Sequence, residues 1–237
     1  MRKDPFIIGE YYHIYNRGTD KRIIFTDRFD LQRFQQSMEE FNTIEPIGSI
    51  FRHNRHKNSR HRMSTINDDE GEKLVDIIVF SLNPNHYHLI LSPLVESGIE
   101  KYMQKLGIGY TKYFNEKYNR TGVLFQGKYK SILIKTDDYL MYLSAYINLN
   151  NRIHFQSKNS RHPMSTINNK KLFYTSSWEE YIGEKNTNFC NKEIILDRYK
   201  NIKDYKEFAE SVAQGIIEKR TDREIDFDED LLIEKLK

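Results

Sequence analysis

Residues 75–92 read VDIIVFSLNPNHYHLILS, and this stretch decides the fold. Val75 to Leu82 is a mostly apolar run of strand length, and His86 to Ser92 is a second one. The tripeptide between them, Asn83-Pro84-Asn85, has turn chemistry, because asparagine tolerates turn conformations and proline fixes its own backbone angle. The pattern predicts two neighbouring strands joined by a turn and buried in a sheet.

The second strand carries a His-x-His motif. His86 and His88 are two residues apart, so on a strand they project from one face, while Tyr87 and Leu89 project from the other. Two imidazoles on one face form half of a metal site. The motif is unspecific by itself in a chain with 8 histidines, and half-buried strand histidines without a metal are the alternative.

Further strand and helix patterns flank this pair. A strand is predicted at Tyr11 to Asn16 and a β-hairpin at Val123 to Ile134. Helices are predicted at Phe29 to Phe41, Gly98 to Tyr118 and Tyr139 to Asn150. The order β-α-β-β-α-β-α predicts an α+β fold, a ferredoxin-like split βαβ sandwich in which helices lie on one face of an antiparallel sheet. We predict one domain over residues 1–183 and a helical C-terminal extension over residues 184–237.

Two polar segments, at about 52–72 and 156–170, interrupt this order. They contain nearly identical copies, KNSRHRMSTIN at 57–67 and KNSRHPMSTIN at 158–168, whose flanks do not match. We interpret both segments as surface loop insertions, because the copies are polar and distant from each other. Our hypothesis is that each is a translated copy of a short mobile DNA repeat, and a coincidental similarity of two loops is the alternative.

Composition limits the class of protein. The chain has 237 residues, of which 13% are aromatic, and this apolar mass argues against a disordered chain. The lone cysteine, Cys190, cannot form an internal disulfide, which favours a reducing compartment. Without a signal-like N-terminus or a membrane-length apolar run, we expect a cytoplasmic protein with no membrane partner. A net charge of +3 permits a nucleic-acid partner without requiring one.

A second group of polar residues lies on the helix that ends near residue 150. Tyr146 and Asn150 are one helical turn apart and share a face. An amide oxygen is a plausible third ligand beside two imidazoles, and a tyrosine next to a metal can act as a nucleophile. Tyr139 and Tyr142 on the same helix are rival nucleophiles, and Asn150 could instead cap the helix.

Together these motifs resemble a known family. The stretch from Asn83 to Ser92, followed by Tyr-Ile-Asn-Leu-Asn at 146–150, resembles the HUH single-tyrosine transposases of the insertion-sequence-200 type, and in particular the REP-associated tyrosine transposases. Three further stretches fit the family: YHIYNRG at 12–18, LFQGKYK at 124–130, and Ser176-Ser177 with Tyr181. The resemblance covers about residues 5–183, and Asn151 departs from it, since relatives usually have proline there.

The resemblance implies a mechanism and a cofactor. His86 and His88 would hold a divalent metal, Mg²⁺ or Mn²⁺, and Asn150 would complete the protein ligands. Tyr146 would attack a phosphate of single-stranded DNA, often flanked by a hairpin, and form a covalent 5′-phosphotyrosine. Some relatives exchange their tyrosine helices within a homodimer and others act alone, so the oligomeric state stays open.

Basic and aromatic residues near these motifs are candidates for DNA contacts. Cations neutralise phosphates, and aromatic rings stack on unpaired bases. The candidates are Arg17, Lys105, Lys112, Phe125, Lys128, Tyr129 and Lys130. The sequence leaves two other functions open. One is a catalytically inactive nucleic-acid-binding protein derived from such a transposase, and the other, ranked last, is a metal-dependent hydrolase.

Overall fold

The computed structural model describes residues 5–45, 72–156 and 173–222. Both copies of the repeated segment, at 57–67 and 158–168, lie outside the described residues, so their interpretation as surface loops stays a prediction. None of the helices within the described ranges is both long and apolar enough to cross a lipid bilayer.

A single antiparallel sheet organises the described part of the chain. Its strands are β1 (Tyr11–Arg17), β2 (Val75–Asn83), β3 (His86–Pro93), β4 (Lys130–Ile134) and the short β5 (Thr175–Ser176). They lie in the order β4-β1-β3-β2-β5, and every neighbouring pair is antiparallel. The predicted hairpin at 123–134 is thus a single strand, preceded by a bridge between Gly18 and Phe125.

The turn between β2 and β3 fixes which residues face each other. Asn83 pairs with His86, and Ser81 pairs with His88. Side chains directly opposite each other on antiparallel strands project from the same face. The tight turn therefore places Asn83 and Ser81 beside the two histidines.

Helices connect the strands as the sequence predicts. They are α1 (Arg28–Glu40), α2 (Gly98–Lys117), α3 (Asp137–Asn148), α4 (Asn150–Gln156), α5 (Trp178–Tyr181), α6 (Glu193–Leu196) and α7 (Ile202–Asp222), with a 3-10 turn at Thr19–Lys21. The helix predicted to run to Asn150 ends two residues earlier. Leu149 has φ −105° and ψ 12°, outside the helical range, and it separates α3 from α4.

The α+β fold class is confirmed, because β1-α1-β2-β3-α2-β4 is the split βαβ pattern with an antiparallel sheet. The prediction that helices lie on one face of the sheet is wrong, since helices cover both faces. Helices α1 and α2 cover one face, where Tyr87 of β3 contacts Phe34 of α1, and Phe34 contacts Tyr110 of α2. The opposite face, which carries the two histidines, is covered by α3. The histidines therefore lie between the sheet and the helix that carries Tyr146.

The C-terminal segment packs on this second layer. Helix α7 contacts α3 and α4, and its Tyr205 is fully buried against them. Nδ2 of Asn148 on α3 donates a hydrogen bond of 2.8 Å to the Tyr205 hydroxyl. Ser177 Oγ donates to Oδ1 of the same asparagine at 2.6 Å. Segments on both sides of residue 183 thus hold the end of α3 in place.

Candidate active site

The two histidines of the His-x-His motif lie side by side on one face of β3. Their ring centroids are 5.1 Å apart, and the rings are nearly perpendicular. Tyr87 projects from the other face into the aromatic layer formed with α1 and α2. Strand alternation therefore separates the imidazole pair from the main apolar core.

Hydrogen bonds fix the orientation of both imidazoles. Nδ1 of His86 lies 2.7 Å from Oδ1 of Asn85, and since an amide oxygen only accepts, this Nδ1 carries the proton. Nδ1 of His88 lies 2.9 Å from Nε2 of His13 on β1. When His88 donates in this pair, both histidines of the motif present their lone pairs on Nε2. This is the arrangement of metal-binding histidines, in which the second ring nitrogen bonds to a neighbouring group.

Helices α3 and α4 bring the tyrosine and the amide to the same face. Tyr146, in the last turn of α3, is 4% exposed, and its ring centroid lies 6.0 Å from that of His88. Asn150 begins α4, and its Oδ1 lies 3.5 Å from Nε2 of His86. Four side chains from a strand and two helices thus converge within one chain.

The rival tyrosines lie earlier on α3. Burial, with a further contribution from Tyr142, raises the pKa of Tyr139 to about 12, so its phenolate forms less readily than that of an ordinary tyrosine. The ring of Tyr146 makes a T-shaped contact with the imidazole of His88, with an angle of 75° between the two planes. The geometry thus favours Tyr146 over Tyr139 as the residue next to the histidine pair.

Asn83 is a site residue that the sequence analysis interpreted only as part of a turn. Its Nδ2 lies 2.8 Å from Oδ1 of Asn150 and 3.1 Å from Nε2 of His86. The same group lies 3.3 Å from Oγ of Ser81. A signal was available in the sequence, because a two-residue turn at Pro84-Asn85 makes residues 83 and 86 direct cross-strand neighbours.

His154 and His13 extend the histidine pair into a row of four buried imidazoles. The ring of His154 lies 5.4 Å from that of His86, and the ring of His13 lies 5.2 Å from that of His88. His154 follows Asn150 by one helical turn on α4, a spacing that is visible in the sequence. The site is therefore richer in imidazole than the motif alone predicts.

The donor atoms of this pocket fit a divalent cation. Two ligands bound at about 2.1 Å and at right angles lie about 3 Å apart. The separation of 3.5 Å between His86 Nε2 and Asn150 Oδ1 is close to this value. Within the described ranges, no three His, Cys, Asp or Glu side chains form a metal site. A cation here would therefore bind an amide oxygen beside the imidazoles, and oxygen and imidazole nitrogen are both ligands of divalent metals.

Three of the predicted DNA-contacting cations lie along the β4–β1 edge of the sheet. Arg17 pairs with His86 across the strands, so its side chain starts from the histidine face. Nε of Arg17 donates a short hydrogen bond to Oε1 of Gln126. Lys128 and Lys130 are exposed, and the Lys130 ammonium lies 5.7 Å from the ring centroid of Tyr15. This group, which we call the basic edge, borders the pocket.

The structure places the other predicted DNA contacts away from the pocket. Phe125 packs on Tyr87 at 5.7 Å on the opposite face of the sheet, and Tyr129 packs against the core. Lys105 and Lys112 belong to α2, which covers that opposite face. Nζ of Lys105 donates to the carbonyl oxygen of Thr43 at 2.5 Å. These four residues are not brought together with the histidines, and their contacts with DNA stay a prediction.

Comparison with known proteins found one family and a similar solved structure. Residues 48–150 match the family described as "Transposase IS200 like", and the match includes His86, His88, Tyr146 and Asn150. No curated protein sequence matches the chain significantly. One similar solved structure is a REP-associated tyrosine transposase bound to a REP hairpin, with 13% identity, a TM-score of 0.42, and coverage of 77% of this chain and 85% of that one. Residues 48–150 of the chain are thus similar to the IS200-like transposase family.

Proposed function

We propose that the chain is a metal-dependent single-strand DNA endonuclease and strand transferase that acts in the cytoplasm. The observation that supports this most directly is the convergence of Tyr146 with His88 and of Asn150 with His86. The similarity of residues 48–150 to the IS200-like transposases supports DNA as the substrate. The proposed target is repeat DNA flanked by a hairpin.

In the proposed reaction, the Tyr146 hydroxyl oxygen attacks a phosphorus atom of the DNA backbone. The phosphorus–O3′ bond breaks, the tyrosine gives up its proton, and the leaving 3′ oxygen takes one up. The product is a 5′-phosphotyrosine and a 3′-hydroxyl, with no oxidation or reduction. Because the phosphodiester energy is kept in the phosphotyrosine, a second 3′-hydroxyl can reverse the step and join strands without ATP.

The residues around the tyrosine divide the remaining tasks. His86, His88 and Asn150 would hold a cation, Mg²⁺ or Mn²⁺, which when bound supplies Lewis-acid polarisation of the scissile phosphate. A tyrosine with an ordinary pKa of about 10 is a weak nucleophile near neutral pH, so Tyr146 requires activation within the pocket. His13 and Asn85 orient the two imidazoles through their Nδ1 atoms.

The basic edge is the proposed path of the DNA backbone toward the pocket. Arg17, Lys128 and Lys130 present cations along one edge of the sheet, and such contacts attract phosphates regardless of base sequence. The side chains of the pocket are buried. A phosphate therefore reaches Tyr146 only when neighbouring side chains move.

The decisive experiment replaces the nucleophile. The wild-type chain is incubated with Mn²⁺ and a labelled single-stranded oligonucleotide that carries a hairpin, and a protein–DNA adduct that survives denaturation is measured. We expect Tyr146→Phe to abolish the adduct and to leave hairpin binding within about twofold, because only the attacking oxygen is removed. Tyr142→Phe is the matched control on the same helix, and it should keep the adduct.

Other outcomes would assign a different function. An adduct that persists in Tyr146→Phe but disappears in Tyr142→Phe moves the nucleophile by one helical turn. Cleavage without any adduct favours a hydrolase. Hairpin binding without cleavage favours a catalytically inactive DNA-binding protein. The burial of the site side chains is the observation that favours testing this alternative.

A further inference from the structure

Asn83 occupies the position between two proposed cation ligands. Its Nδ2 lies within 2.8 Å of Asn150 Oδ1 and 3.1 Å of His86 Nε2, and both are lone-pair atoms. An amide N–H₂ group that donates toward two lone pairs performs the electrostatic task of a cation at the same point. The side chain is fully buried, so no solvent route replaces these contacts.

The other end of the same amide group is unsatisfied. Within the described part of the chain, Asn83 Oδ1 is buried and has no hydrogen-bond partner. Buried amide oxygens are normally hydrogen-bonded, so an exception requires an explanation. Nδ2 of Asn150 is buried and lacks a partner in the same way. The hydrogen-bonding capacity of this asparagine pair is therefore only partly used.

We propose that Asn83 is a further ligand of the cation site and that its amide turns over when the cation binds. A half-turn of the carboxamide exchanges Oδ1 and Nδ2, which are nearly the same size. Without a cation, the turned form would set the Oδ1 lone pairs against those of Asn150 Oδ1 and His86 Nε2. With a cation among these atoms, the turned form supplies a third close ligand, and the present form is repelled.

This inference rests on the proposed function, since it adds an oxygen ligand to the cation site of that function. It also gives Asn83 a role as a cation ligand in addition to its place at the turn. The cross-strand pair Asn83–His86 sets the distance between the amide and the imidazole before any cation arrives. A ligand placed by a tight hairpin is held more rigidly than one on a loop.

The test measures Mn²⁺ binding to the full chain without DNA, by the electron paramagnetic resonance signal of unbound Mn²⁺. We expect Asn83→Asp to bind Mn²⁺ at least about tenfold more tightly, because a carboxylate replaces a neutral oxygen ligand. We expect Asn83→Leu, which is similar in size, to bind about tenfold more weakly. Ser92→Ala is the control: it removes a buried hydroxyl near the other end of β3 from His86 and should leave Mn²⁺ affinity unchanged. Urea unfolding of each variant verifies that it is folded.

Each result has one meaning. Tighter binding in Asn83→Leu would show that the amide only competes with the cation, and equal binding in all Asn83 variants would show that it takes no part; either overturns the proposal. Wild-type Mn²⁺ binding that His86→Ala abolishes, combined with unchanged Asn83 variants, rejects Asn83 alone. A wild-type chain that binds no Mn²⁺ rejects the cation site itself.

Discussion

At the scale of single residues, the hydrogen bond between His13 and His88 is the contact that most directly sets the chemistry of the pocket. The two rings are also stacked, with an angle of 16° between their planes, and both are fully buried. Such a neighbour fixes both the tautomer and the direction of a ligand imidazole. His13 is therefore a positioning residue in our proposal, because it acts through His88.

Replacing His13 tests this role. We expect His13→Leu to lower Mn²⁺ affinity by about 10- to 100-fold, because His88 loses the partner of its Nδ1. His13→Gln should restore most of the affinity, since a glutamine amide can reach the position of the imidazole Nε2. Calorimetric titration with Mn²⁺ measures both, and urea unfolding shows whether either variant is misfolded. If the leucine and glutamine variants bind Mn²⁺ equally well, the hydrogen bond has no such role.

Residue-level prediction from the sequence succeeded where the signal is local. His86 and His88 share a face because strand alternation requires it, and the spacing of Tyr146 and Asn150 is likewise a property of the chain itself. The partners of these residues come from other elements, so their spacing in the sequence carries no such information. Phe125 is an example: the sequence suggested base stacking, its ring packs on Tyr87 in the structure, and its contact with DNA stays a prediction.

At the scale of elements, a charged cluster connects α1 to α2. Nζ of Lys117 lies 2.7 Å from Oδ1 of the fully buried Asp30 and 2.8 Å from Oδ2 of Asp27. The hydroxyl of Tyr118 donates to Asp30 at 2.8 Å. Asp27 and Asp30 also form the capping box that begins α1. The Lys117 ammonium at the end of α2 thus neutralises carboxylates at the start of α1.

Removing the cation of this cluster should destabilise the fold. We expect Lys117→Met to lower the free energy of unfolding by about 3 kcal/mol at pH 7, because Asp30 stays buried without its cation. Lys112→Met, at an exposed position of the same helix, is the control and should change it by less than about 0.5 kcal/mol. Urea denaturation measures both. Equal effects of the two substitutions would contradict the role of the cluster.

The same substitution should matter less in acid. Partial burial alone would raise the pKa of Asp27, but hydrogen bonds from Lys117 and the Asp30 backbone lower it below its usual 3.8. A carboxylate whose pKa is lower in the folded state stabilises the fold above its unfolded pKa, and this contribution is lost as the pH falls. The difference between wild type and Lys117→Met should therefore shrink below about pH 4.

The elements themselves were largely predictable, because apolar periodicity is strong in this chain. Residues 98–118 and 29–41 show helical spacing, and helices α2 and α1 lie there within one residue at each end. The break at Leu149 was not predictable, since the residues before and after it continue the helical pattern. A contact from another element accompanies the break: Ser176 Oγ donates a hydrogen bond of 2.9 Å to the carbonyl oxygen of Asn148 at the end of α3.

At the scale of the whole molecule, the candidate site is assembled from one chain. Tyr146 lies against His88 of the same chain, and α7 holds the end of α3 through Tyr205 and Asn148. This arrangement requires no second copy to supply the tyrosine. A dimer that exchanges helices would first have to break the packing between α3 and α7.

Mixing two inactive variants tests whether the site works within one chain. We expect an equimolar mixture of Tyr146→Phe and His88→Ala to form no adduct with hairpin DNA, because each chain lacks one half of its own site. Mixtures of wild type with either variant, at the same total concentration, control for interference and should keep about half the adduct. Adduct formed by the two variants together would reveal exchange of helices between copies.

The position of β4 at the outside of the sheet has a consequence for solubility. An uncovered outer strand offers unsatisfied backbone groups to other chains, and lysines on such a strand discourage intermolecular pairing. Lys130 is the first residue of β4, and Lys128 precedes it by two positions. We therefore expect the two lysines proposed to attract DNA also to discourage pairing of β4 with other chains. A fall in DNA affinity after their replacement by alanine is interpretable only for protein that sedimentation shows to be monodisperse.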